Sequence, residues 1–144
     1  MMKLSKAYIN SHDIDWFAFY EGKYIHVASA GGLLPQIVND RTKLRFLQKY
    51  VKELPLGNHE IVKNIKQVIS GHNLSEEQLD DYFESFENMA KKGFYSYDKV
   101  DINDTEDNKY ILVAYPKEPI NIKKIEDLDF PNLSVTDECF KVIE

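Results

Sequence analysis

The run Ile14-Asp15-Trp16-Phe17-Ala18-Phe19-Tyr20-Glu21-Gly22-Lys23-Tyr24-Ile25-His26-Val27-Ala28 decides the fold class. Two stretches rich in aromatic and β-branched side chains flank Glu21-Gly22, and such residues suit a pleated, buried strand. A glycine at that point supplies the positive φ of a tight turn, so the run predicts a β-hairpin. From Trp16 to Tyr20 both alternating faces are apolar. Such a strand is covered on both sides, or by helices on one side and a partner on the other.

Beyond the hairpin, Ser29-Ala30-Gly31-Gly32 with the nearby Pro35 breaks the pattern and reads as a loop. Asp40 then predicts the N-cap of a helix over about residues 41–54. At 100° per residue, Leu44, Phe46, Leu47, Tyr50, Val51 and Leu54 share one arc, and Arg41, Arg45, Lys49 and Lys52 form a separate basic stripe. A weaker helical pattern follows at Ile61, Ile65, Val68 and Ile69. The clearest helix spans 75–92, where Ser75 and Gln78 make a capping box. Its apolar arc holds Leu79, Tyr82, Phe83, Phe86, Met89 and Ala90; Glu76, Glu77, Asp80, Asp81, Glu84 and Glu87 lie opposite, and Gly93 ends it.

Phe94-Tyr95-Ser96-Tyr97-Asp98 and Tyr110-Ile111-Leu112-Val113-Ala114-Tyr115 predict two more strands, joined by an acidic connection over 99–109. Toward the C-terminus, Ile122, Ile125 and Leu128 suggest a short helix and Cys139 to Ile143 a last strand. The expected fold is therefore α+β and a single domain over 1–144. It is an antiparallel sheet of about four or five strands, with two or three amphipathic helices packed on one face.

Composition agrees with an ordinary globular chain: 144 residues, 43% hydrophobic and 29% charged. The net charge of −6 hides an asymmetry. Residues 1–72 carry 10 basic and 6 acidic side chains, residues 73–144 carry 8 and 18. That balance disfavours a uniformly basic nucleic-acid binder. No run approaches the ~20 apolar residues of a membrane span, no secretory core follows the early lysines, and the lone Cys139 has no internal disulfide partner. A cytoplasmic location is the expectation.

Two stretches resemble a group of small bacterial proteins. One is Asp13-Ile14-Asp15-Trp16-Phe17-Ala18 with Ala28-Ser29-Ala30-Gly31-Gly32-Leu33-Leu34-Pro35. The other is Gly93-Phe94-Tyr95-Ser96-Tyr97-Asp98 with Tyr110-Ile111-Leu112-Val113-Ala114-Tyr115-Pro116. The group is built around an IDWF…ASAGG-x-LP opening and a GxYSYD…YxLVAxP ending, and its members are uncharacterised. The resemblance implies a shared fold and a bacterial origin, and it attaches no catalytic role to either motif. In size and acidity the chain also resembles, more loosely, toxin-immunity proteins.

Candidate sites are sparse. His12, Asp13 and Asp15 cluster at a strand edge, but nothing in their spacing demands a metal. His26 reads as a packed strand residue. From Asp101 onward a calcium loop fails, because Glu106 stands where the turn glycine belongs and Leu112 where the bidentate acid belongs. Gly31-Gly32 lacks the spacing of a dinucleotide or P-loop motif and reads as close packing or unusual torsions. Cys139, among acids, is a poor nucleophile.

No cofactor and no metal are expected. The leading expectation is a non-enzymatic protein-binding module that presents Glu76, Asp80, Glu84, Glu87, Asp101 and Asp104 to a basic protein partner. The alternative is a small-molecule binder or hydrolase with a pocket near the first hairpin and the glycine loop. Asp15, Trp16, Tyr20, Tyr24, Gly31 and Gly32 would line it. Self-association is open on this reading.

Overall fold

The computed structural model describes residues 2–64, 75–120 and 128–143. In chain order the elements are α1 (Lys6–Asn10), β1 (Asp15–Tyr20), β2 (Lys23–Ala28), α2 (Arg41–Glu53), β3 (Ile61–Lys63), α3 (Glu76–Lys91), β4 (Tyr95–Lys99), β5 (Lys109–Pro116) and β6 (Lys141–Val142). The first hairpin closes where expected. Tyr20 pairs with Lys23, and both loop residues take positive φ, 48° at Glu21 and 77° at Gly22. That is a type I′ turn, whose twist matches that of the flanking strands.

The sheet runs β1-β2-β4-β5-β3, with β6 also on β5. Two antiparallel pairs, β1–β2 and β4–β5, are present as the sequence predicts, but the sheet they form is mixed. β2 and β4 lie parallel, as do β5 and β6, so the expected purely antiparallel arrangement is corrected. The reason is the crossover: the chain between β2 and β4 carries α2 and α3 over one face and re-enters the sheet in its original direction, which parallel pairing requires. The α+β class itself holds.

Both long helices start as the sequence predicts. Asp40 caps α2 by accepting from the Lys43 amide, and Ser75 and Gln78 form the capping box of α3. The weaker helical pattern is corrected in its first turn, where Ile61–Lys63 form an edge strand on β5; residues 65–74 lie outside the described residues. The short helix expected at Ile122 and Ile125 also falls outside them, whereas the last strand is present as β6. α1, capped by Ser5, was not anticipated. Among the described residues, no helix is long and apolar enough to cross a membrane.

Both faces of the sheet are covered. On one, Phe17 and Phe94 pack with Leu47 and Val51 of α2, while Ala28, Val113 and Ala114 meet Phe83, Phe86 and Ala90 of α3. On the other, Trp16, Tyr20, Tyr97 and Tyr110 surround Phe140, with ring centroids 5.1–5.5 Å from it. Residues 131–133 close the outer edge of β1: the Phe19 amide donates to Pro131 O at 2.8 Å and the Leu133 amide to Phe19 O at 2.9 Å. The second apolar face of β1 is thus buried by the chain's own C-terminal segment.

A bulge adjusts the sheet beneath α3. Ser96 pairs with Ala114 but Tyr97 with Leu112, so Val113 is the extra residue and points, with Ala114, toward the helices. Asn64 bonds the displaced backbone, its side chain donating to Leu112 O and its amide to Val113 O.

Candidate functional site

Strand register puts two rows of side chains under the helices. Asp15, Ala28 and Asp98 are cross-strand neighbours, and Phe17, His26 and Ser96 form the next row. Alternation by two along each strand turns all six to the same face. Asp15, His26, Ala28 and Asp98 of these rows border a cavity, and of the polar members only Asp15 is well exposed.

His26 is 2% exposed and both ring nitrogens are bonded. Nδ1 lies 2.6 Å from Ser96 Oγ and Nε2 2.8 Å from Asp15 Oδ1. In the neutral ring, Nε2–H donates to Asp15 and the Ser96 hydroxyl donates to Nδ1. Phe17 and Phe86 flank the imidazole from sheet and helix. The order of the three groups matters. Ser96 is completely buried, and it is the Asp15 carboxylate, 55% exposed, that opens to the cleft. A nucleophilic triad needs its serine at the substrate, so this line of residues runs the wrong way for acyl transfer. What it does is hold a carboxylate in one orientation.

Asp98, two strands across from Asp15, is 7% exposed. Its Oδ2 accepts the Tyr82 hydroxyl at 2.6 Å and its Oδ1 accepts the Lys99 amide at 2.9 Å. Burial raises its pKa above the ordinary carboxyl value, while the Tyr82 and Lys99 hydrogen bonds oppose the rise. Tyr82, in turn, is pushed up by burial and by the Asp98 charge. Between the two carboxyl groups sits only the methyl of Ala28, which leaves room above the sheet.

That room is a cavity of about 710 Å³, floored by His26, Ala28 and Asp98 and walled by Asp13, Gly31, Tyr82 and Ser85. A second cavity of about 510 Å³ adjoins it between α2 and α3. His12, Asp13, Asp15 and Ser85 border both. Arg41, Arg45, Gln48 and Lys52 line the second one along α2, so three members of the basic stripe face a cleft. Gln48 also anchors α2 to β1 by donating to Asp15 O at 2.7 Å.

The glycine loop forms the cleft's end wall. The Gly31 amide donates to His12 O, the Ala30 amide to Asp13 Oδ1, and the Ile14 amide to Ser29 Oγ. Ala30 and Gly31 take φ of 45° and 78°. A Cβ on Gly31 would stand 2.8 Å from Asn10 O, and one on Gly32 2.9 Å from the Tyr110 hydroxyl. The glycines serve close packing.

Of the residues expected to line a pocket near the hairpin, Asp15 and Gly31 do so. Gly32 is packed against Tyr110 and Lys99, and Trp16 and Tyr20 are buried on the opposite face around Phe140. Tyr24 faces the helices beside Phe19 and Phe130. The expected acidic surface divides similarly. Glu76, Asp80 and Glu84 are exposed along α3, whereas Glu87 pairs with Lys63 at 3.3 Å. In the 99–109 loop, Asp101 accepts the Asn103 amide and Asp104 the Glu106 amide, so these acids shape their own turns. Cys139 is half-buried, and burial followed by Asp137 and Glu138 raises its pKa, which disfavours the thiolate.

Ser96, Asp98, Tyr82 and Ser85 were not singled out from the sequence. One signal was there: in a strand buried on both faces, the polar alternation Ser96-Tyr97-Asp98 must bury two hydrogen-bonding groups together. Among the described residues, no group of three or more His, Cys, Asp or Glu side chains is arranged to hold a metal ion. Compared with protein families, curated proteins and solved structures, the chain matches none.

Proposed function

We propose that this protein binds a small polar molecule in the cleft between α2, α3 and the first hairpin. One observation carries the reading: His26 and Asp98 are buried polar groups whose partners, Asp15 and Tyr82, border a cavity of about 710 Å³. Burying such groups costs stability unless each is paired, and pockets with a few convergent polar groups are where ligands bind. The test is a screen of charged and neutral metabolites by thermal shift, followed by amide chemical-shift mapping. A ligand at about 100 times its Kd stabilises the native state by ~2.7 kcal/mol, which raises the melting temperature by several degrees. Stabilisation together with shifts at residues 12–15 and 26–31 supports the reading. No stabilising compound and no cleft shifts overturn it.

A second reading, a docking surface for a basic protein and hence an immunity-like role, is favoured by the outer face of α3. Glu76, Glu77, Asp80, Asp81 and Glu84 are all exposed and none enters a described ion pair. Charge complementarity of this kind speeds encounter and sharpens specificity. Co-purification at low salt from a bacterial lysate, repeated after neutralising Glu76, Asp80, Glu84 and Glu87, tests it. A partner lost on neutralisation supports it; a partner retained, or none, counts against it.

A further inference from the structure

The two adjoining cavities differ in charge: lysine and arginine side chains line only one of them. Arg41, Arg45, Lys52 and Lys92 line the one beside α2, and none of them enters a described ion pair. Lys92 is held in place by donating to Val51 O at 2.9 Å and Lys52 O at 3.3 Å. The neighbouring cavity is lined by Asp13, Asp15 and Asp98 and by no lysine or arginine. Asp13 and Asp15 stand on the border between the two, with Asp15 oriented by the buried His26.

A simple anion in the α2 cavity would also meet the Asp13 and Asp15 carboxylates, which border it, and a simple cation held at those carboxylates would leave the basic row of α2 without a counter-charge. Each singly charged molecule therefore matches one end and leaves the other unmatched, while a molecule bearing both charges satisfies both ends. Resting on the reading that the cleft binds a small molecule, we infer that its ligand is a dipolar one. A carboxylate sits toward Arg41, Arg45 and Lys52, and an ammonium toward Asp13 and Asp15.

The experiment titrates the full chain with β-alanine, γ-aminobutyrate, 5-aminopentanoate and 6-aminohexanoate, with pentanoate and pentylamine as singly charged controls. Amide chemical shifts are the readout. At least one amino acid should perturb residues of both α2 and 12–15 and bind about tenfold more tightly than either control, since each charge-assisted contact is worth about that factor. Arg45→Gln, at an exposed position, should reduce its affinity to that of pentylamine, and Asp15→Asn to that of pentanoate. Controls that bind as tightly as the best amino acid, or amino acids that leave the cleft amides unmoved, overturn the inference. If neutral compounds from the screen still occupy the cleft, only the ligand class fails; if nothing does, the small-molecule reading fails with it.

Discussion

Asp98 is the residue whose surroundings most change its chemistry. Its pKa is raised from 3.8, chiefly by burial, so the folded protein holds this proton at pH values where the unfolded chain has lost it. By linkage, stability falls with rising pH wherever the native state binds more protons. The contribution from Asp98 is therefore fully present below the unfolded value and is lost as pH rises through the folded one. Asp98→Asn keeps the shape and removes the titration. In urea unfolding across that range, the stability of the native protein relative to this variant should decline as pH increases. A flat or rising difference would show that burial does not govern the group. None of this was legible at residue 98 alone, because burial is a tertiary property and the hydroxyl that bonds the carboxyl, that of Tyr82, lies 16 residues away on α3.

At the scale of elements, local chemistry and tertiary crowding can be told apart with two glycines. Gly22 has φ of 77° and nothing within 4 Å of where its Cβ would sit. Gly31 has φ of 78°, and its Cβ would stand 2.8 Å from Asn10 O. Both alanine variants bear the left-handed backbone cost of roughly 1–2 kcal/mol. Gly31→Ala must also displace a backbone carbonyl, so it should be the more destabilising of the two in thermal unfolding. Equal losses would mean that the loop yields freely. The turn at Gly22 was readable from sequence because Glu21-Gly22 sits between two strand-forming runs. The contact at Gly31 was not, because Asn10 belongs to α1, a helix of five residues with no amphipathic repeat to announce it. The caps of α2 and α3 were readable for the same reason as the turn: each involves residues three apart.

For the whole molecule, the decisive contact is Phe140 with the second face of the sheet. It is fully buried among Trp16, Tyr20, Tyr97 and Tyr110, and it joins the last part of the chain to the first hairpin. Phe140→Ala should cost about 3–5 kcal/mol, the range for removing a buried aromatic ring. Trp16 is the sole tryptophan, so its emission should shift to the red as water reaches it. A variant of unchanged stability would show that the C-terminal segment only rests on the sheet.

By itself the sequence determined the turn at Glu21-Gly22, the starts of both long helices, the two antiparallel strand pairs and the two-sided burial of β1. These depend on neighbours a few residues apart or on alternation within one strand. Only the tertiary structure decided that β2 and β4 run parallel, that Phe140 and its neighbours cover the second face, and that Asp15 borders both the cavity lined by Arg41 and Arg45 and the one floored by His26 and Asp98. Parallel pairing depends on how the crossover helices lie over the sheet. The cleft depends on register between strands some 70 residues apart, as in the His26–Ser96 contact. Periodicity assigns a residue to a face of its own element, and only packing decides what that face meets.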